Sequence, residues 1–211
     1  MIAGTNSPFM KIFCVGRNYV AHALELKNEV PTDPLIFMKP STALLLEDKP
    51  FFHPEFSKNI HYEVELVMRI CKNGKHIKPE FAYRYYDAMA LGIDFTARDL
   101  QDTLKAKGQP WELAKGFDNS AVVSKFIELN DLGEAPYHFS LQKNGTLVQS
   151  GNTENMIFTF DKIICFISQF ITLQKGDYIF TGTPAGVGKI ETNDVYQGFI
   201  DGRQMFTCAI K

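Results

Sequence analysis

The chain has 211 residues, 45% of them hydrophobic and 18 of them phenylalanine, with a formal net charge of −2. This supports a sizeable aromatic-rich core, and the near-balanced charge without a basic run excludes a nucleic-acid-binding footprint. No apolar run approaches the roughly 20 residues needed to span a bilayer, so no membrane partner is expected.

The four cysteines, at 14, 71, 165 and 208, are scattered without a CxxC pair. That argues against a zinc–thiolate site and points to free buried thiols in a reducing, cytoplasmic compartment. The start "MIAGTNSPFMK" has neither the basic region nor the apolar stretch of a secretory signal.

"MKIFCVG" reads as an opening strand. "RNYVAHALELKN" follows with Tyr19, Ala23 and Leu26 at helical spacing, until prolines at 31 and 34 break it. "LIFMKP" is a short strand and "TALLLEDKPFFHPEF" is loop-rich. "IHYEVELVMRICK" reads as one continuous strand, "PEFAYRYYDAMA" as a helix, and "ALGIDFT" as a strand ending on Asp94 and Thr96. "ARDLQDTLKAKG" is a short helix closed by glycine. In "HFSLQKNGTLVQSG" two alternating runs flank Asn144-Gly145, the strongest two-residue hairpin signal. "TFDKIICFISQFITL" is helical, "KGDYIFTGTPAGVG" is a strand running into a glycine-rich turn, and "DVYQGFIDGRQMFTCAI" is a final hairpin. Strands outnumber short scattered helices, so the fold class is α+β and mostly β, without the alternation of a doubly wound fold.

Within "IHYEVELVMRI", a strand turns Tyr62, Val64 and Leu66 to one face and His61, Glu63 and Glu65 to the other. The two carboxylates then lie roughly 6–7 Å apart along the strand. Either this is a solvated outer face, or the pair shares a hard cation such as Mg²⁺ or Mn²⁺. Asp94 ends an apolar strand, where an unpaired carboxylate is costly. It could cap the following helix, pair with Arg98, or complete a three-carboxylate oxygen site. His22 and Glu25 lie three apart, on one helical face, as an ordinary surface pair or as an oriented base. Lys115 is either a snorkelling surface residue or a cation aimed into a pocket. "GTPAGVGK" is no phosphate loop. Five residues separate Gly182 from Gly188 instead of four, and Ile190 stands where Ser or Thr would be required.

Six stretches in order, "CVGRNYVAHALEL", "FMKPSTALL", "HYEVEL", "GIDFTARDLQ", "KGQPWELAKGFD" and "GDYIFTGTPAGVG", resemble the successive motifs of the fumarylacetoacetate hydrolase family. The likeness is greatest to its short acylpyruvase and oxaloacetate decarboxylase members. The resemblance implies a mixed β-sandwich roll with short peripheral helices, spanning 1–211 as one catalytic domain with residues 1–50 as an N-terminal strand and lid segment. It also implies a homodimer and one Mg²⁺ or Mn²⁺ per subunit. Glu63, Glu65 and Asp94 would be the metal ligands. His22 and Glu25 would activate water, and Lys115 would reach a 2-oxo acid substrate held with Arg17, Arg98, Gln101 and Thr183.

The expected activity is hydrolysis of acylpyruvates to pyruvate and a carboxylate, with oxaloacetate decarboxylation or tautomerisation at the same site. The alternatives are isomerisation of 2-hydroxyhepta-2,4-diene-1,7-dioate or decarboxylation of 5-oxopent-3-ene-1,2,5-tricarboxylate. A non-catalytic divalent-metal or dicarboxylate binding module would be of another class.

Overall fold

The computed structural model of the chain describes residues 10–25, 29–46 and 49–211. The order begins β1 (Ile12–Gly16), α1 (Val20–Glu25), β2 (Leu35–Lys39), β3 (Leu44–Leu46), β4 (Ile60–Tyr62), β5 (Val64–Ile70), β6 (Tyr86–Asp94) and β7 (Thr96–Ala97). It continues α2 (Arg98–Ala106), α3 (Glu112–Lys115), β8 (Ala121–Val123), β9 (Ile127–Glu128), α4 (Leu129–Leu132), β10 (His138–Lys143) and β11 (Thr146–Asn152). The chain closes with α5 (Phe160–Phe170), β12 (Tyr178–Phe180), β13 (Gly188–Lys189), β14 (Val195–Ile200) and β15 (Arg203–Ala209).

An eight-stranded sheet runs in the order β2-β1-β12-β5-β6-β8-β3, with β9 paired to β6. It is mixed, because β1–β12 and β3–β8 pair in parallel while β5 and β6 are antiparallel to each other. A four-stranded sheet, β11-β10-β14-β15, packs on β5 and β6. Leu66, Leu91, Phe139, Leu141, Tyr196 and Phe206 fill the layer between them. Burying each such side chain contributes about 1.5–3 kcal/mol. The mostly-β class and sandwich arrangement thus follow from strand alternation, and the helices are short and peripheral.

The Asn144-Gly145 turn takes φ values of 52° and 80°, as the two-residue hairpin requires. The helix over "TFDKIICFISQF" starts with Thr159 accepting a hydrogen bond from the Lys162 N–H. Leu26, expected on the first helix, lies outside the described residues.

Two expectations fail. "PEFAYRYYDAMA" is helical only as a 3₁₀ stretch over Pro79–Arg84, and its second half enters β6. Antiparallel pairing with β5, from Val64↔Ile93 to Ile70↔Tyr86, overrides the local helical pattern. The stretch "IHYEVEL" is also not one strand. It breaks at Glu63, so that β4 joins β7 and β13 in a separate three-stranded sheet. Cys71 is half-exposed and the other three cysteines are buried, all four as free thiols.

Candidate functional site

Val64 and Leu66 enter the inter-sheet core, which turns Glu63 and Glu65 to the opposite side. The β5–β6 register sets Gly92 across from Glu65, and the Asp94 N–H donates to the Glu63 carbonyl at 2.8 Å. Asp94 therefore emerges beside both glutamates. Gly92 permits this arrangement, since a Cβ there would meet the Val122 carbonyl oxygen at 2.5 Å. Glu63, Glu65 and Asp94 are all buried, and each offers an oxygen within 4.8 Å of the others'. The solvated-face alternative is excluded, and so is Asp94 as a helix cap: the α2 N-terminus has no side-chain cap and Asp94 pairs elsewhere.

Three cations surround the carboxylates. The Lys115 ammonium, 3% exposed, lies 2.8 Å from Glu63 Oε2, 2.7 Å from Asp94 Oδ2 and 2.6 Å from Thr96 Oγ1. Snorkelling is ruled out by that burial. Arg98 donates to Glu63 Oε1 and, at 2.6 Å, to Gln101 Oε1. The third cation, Lys39, was not singled out in the sequence although it stands in "FMKP". Its Nζ sits 2.8 Å from Asp94 Oδ1, donates to Ser120 Oγ at 2.9 Å, and also donates to the Lys115 carbonyl.

These contacts split the carboxylates electrostatically. Burial pushes Glu63 toward protonation, but Lys115 and Arg98 outweigh it and hold the group well below the ordinary carboxylate range. Among the described residues, Glu65 forms no ion pair. Burial, with Asp94 and Glu63 beside it, drives its affinity for a proton well up, opposed by the nearby Lys115 charge and then by the Gly182 N–H that donates to its Oε2 at 2.7 Å. Gly182 adopts φ 103°, a conformation that aims this N–H inward and that side chains disfavour. Burial pulls Lys115 down, but Asp94 and Glu63 reverse this and raise it to about 12.

The opposite wall is the segment after β1. Arg17 turns the chain at φ 59°, and Asn18 fixes it. The Asn18 Nδ2 donates to the carbonyls of Phe158 at 3.0 Å and Thr181 at 2.8 Å, while its Oδ1 accepts from the Phe158 N–H at 2.7 Å. α1 then buries His22, whose Nδ1 lies 3.5 Å from Glu25 Oε2. Glu25 is held in turn by the Gly186 N–H, 3.1 Å from Oε1. Burial lowers the affinity of His22 for a proton, offset in part by Glu63 and Glu25. The imidazole is thus the neutral, proton-accepting form near pH 7.

His22, Arg17, Arg98, Gln101, Lys115, Thr183 and the three carboxylates all line one cavity of about 30 Å³, walled by Phe37 and Trp111. Thr183 is fixed there by the Gln149 side-chain amide, 2.9 Å from its Oγ1. Glu25 orients His22 from outside that lining. Besides Lys39, the sequence reading missed Asn18 and Gln149. For Gln149 the signal was a polar residue at an inward-facing position of β11.

The donor set fits a hard divalent cation. It offers only carboxylate oxygens, and Asp94 Oδ1 is buried with no hydrogen bond of its own, its one neighbour being the Lys39 ion pair. Glu63, Glu65 and Asp94 are the residues that could hold it.

Residues 11–206 match the family described as fumarylacetoacetate (FAA) hydrolase, C-terminal. The chain is 44% identical over 192 residues to the mitochondrial oxaloacetate tautomerase FAHD1 of Mus musculus, covering 90% of this chain and 87% of that protein. It is 41% identical over 196 residues to the mitochondrial oxaloacetate decarboxylase of Dictyostelium discoideum, covering 91% and 89%. Its backbone superposes with a TM-score of 0.91 on fumarylpyruvate hydrolase from Pseudomonas aeruginosa in complex with Mn²⁺ and pyruvate, at 34% identity, covering 100% of this chain and 94% of that one. With nearly the whole chain matched in sequence and in fold, the protein belongs to the fumarylacetoacetate hydrolase family and is an enzyme of it.

Proposed function

We propose that the enzyme acts on short 2-oxo acids, interconverting the keto and enol forms of oxaloacetate and hydrolysing small acylpyruvates in the same cavity. The observation that carries this reading is a neutral His22, oriented by Glu25, facing a buried carboxylate trio across one small space. The relatives named for oxaloacetate put oxaloacetate first, ahead of the acylpyruvates the motifs suggested. A binding module would need no oriented base.

A divalent cation, Mg²⁺ or Mn²⁺, held by Glu63, Glu65 and Asp94 would supply Lewis acidity toward the oxygens of a 2-oxo acid. The chain's own groups do the rest. Arg98, with Gln101 fixing its guanidinium, and Arg17 attract the carboxylate, while Thr183 offers its hydroxyl to the bound acid. The Lys115 ammonium remains charged and stabilises negative charge developing on the 2-oxo oxygen. For tautomerisation, His22 takes the C3 proton and the electron pair moves to the 2-oxo oxygen, which a proton then completes as the enol. For an acylpyruvate, His22 takes a proton from water, the hydroxide adds to C4, and the C3–C4 bond breaks with its electron pair forming the enolate. Protonation at C3 yields pyruvate beside the carboxylate. Decarboxylation of oxaloacetate reaches the same enolate by loss of CO₂, without water.

The test is to follow oxaloacetate enol decay, and pyruvate release from acetylpyruvate and oxaloacetate, with Mg²⁺ and then with excess EDTA. Metal-dependent loss of the enol signal is expected, with slower pyruvate release from acetylpyruvate. Silence on all three removes the reading. The same proposal includes one catalytic unit over 1–211, a homodimer and a cytoplasmic location. No helix among the described residues is long and apolar enough to cross a membrane. Light scattering of the purified chain tests the dimer.

A further inference from the structure

We infer that Lys39 is a built-in counter-cation of the carboxylate cluster, one that weakens divalent-ion binding and strengthens binding of the anion that follows. The inference rests on the metal-site reading above. Lys39 is 1% exposed and its side chain touches no solvent. A buried lysine is costly unless fully partnered, and this one is partnered: Asp94 Oδ1, the Lys115 carbonyl, and the Ser120 carbonyl at 3.2 Å and hydroxyl at 2.9 Å.

Its charge therefore belongs to the cluster. Glu63, Glu65 and Asp94, when ionised, bring three negative charges, and Lys39, Arg98 and Lys115 bring three positive ones. In this fully ionised form, the one that holds a metal, these six charges cancel. A divalent ion added to it leaves an excess of two positive charges, which a dianionic chelator neutralises. Lys39 differs from the other two cations in position: it lines no part of the cavity, so no substrate group reaches it. It is a positioning residue, acting through Asp94 and through the carbonyl of Lys115.

Charge and mere support predict opposite signs. If Lys39 only supports the fold, its loss weakens every ligand. If it acts as a counter-cation, its loss tightens the metal and loosens the anion. The test is calorimetric titration of Mn²⁺ at pH 8 into wild type, Lys39→Gln and Lys39→Arg, followed by oxalate into each Mn²⁺-loaded protein. Lys39→Gln should bind Mn²⁺ about tenfold tighter or more and oxalate more weakly by a similar factor, with Lys39→Arg close to wild type. Unchanged or weaker Mn²⁺ binding by Lys39→Gln would overturn the inference, as would equal tightening by Lys39→Arg. No Mn²⁺ binding by wild type would overturn the metal reading as well. Should Lys39→Gln not fold, the ammonium ¹⁵N resonance of Lys39, assigned by its loss in Lys39→Arg, decides in wild type. A shift on adding Mg²⁺ supports the role, and an unmoved signal sinks it.

Discussion

The two walls of the cavity are built on different principles. On the sheet side, Glu63, Glu65, Asp94, Lys39 and Lys115 sit on the main sheet or against it, and four of the five make several polar contacts each. On the helix side, His22 and Glu25 ride a six-residue helix, joined to each other by one 3.5 Å contact and rooted by Asn18. The sheet side is over-determined by charge and backbone register. The helix side depends on a few hydrogen bonds. The site thus pairs a densely bonded charge cradle with a lightly tethered histidine.

The largest test of that division is on the cradle. Asp94→Ala removes the one carboxylate of the three that pairs with two lysines. It should abolish Mn²⁺ binding and lower turnover by roughly a thousandfold, the scale of several kcal/mol of charge stabilisation. Retained metal affinity would take Asp94 off the ligand set. On the other wall, His22→Ala should leave Mn²⁺ affinity unchanged while cutting acetylpyruvate hydrolysis by about 10²–10⁴-fold. Oxaloacetate decarboxylation needs no activated water and should fall by less than about tenfold. Equal losses in both reactions would mean that His22 does something other than activate water.

The sequence made the two walls legible to different degrees. Register arithmetic put Glu63 and Glu65 on one face. The cost of a carboxylate in an apolar strand flagged Asp94, and the spacing of His22 and Glu25 gave the helical pair. What it could not supply was convergence. The break at Glu63 and the entry of "YYDAMA" into β6 arise from pairing between strands, and pairing across β5 and β6 is invisible to a local window. Lys39 shows the asymmetry most clearly. The reasoning that flagged Asp94 applies equally to a lysine at the end of "LIFMK", but lysines are so often surface residues that the signal passes unnoticed.

A smaller effect is expected at the root of the helix side. Asn18→Ala strips three hydrogen bonds from the buried backbone of Phe158 and Thr181, which should cost about 2–3 kcal/mol of stability by thermal unfolding. If the walls are independent, Mn²⁺ affinity stays at the wild-type value while kcat/KM falls several-fold. A parallel loss of metal affinity would mean that the cradle needs the tether.

The subtlest test is the pH profile, because it reads His22 without removing it. Burial holds the imidazole's proton affinity below the ordinary value of 6.5. The base form therefore prevails above that lowered value, and activity is lost as pH falls through it, giving an acid limb below pH 6.5. The Glu25 carboxylate opposes the burial by accepting a hydrogen bond from the ring and favouring its protonated form. Glu25→Gln removes that negative charge while keeping an acceptor, so the limb should move to still lower pH as the plateau rate falls about tenfold. The two changes share one cause, since a weaker proton acceptor titrates lower and abstracts protons more slowly. A limb that stays in place or moves upward would show that the titrating group is not His22, and would shift the search for the base to the cradle.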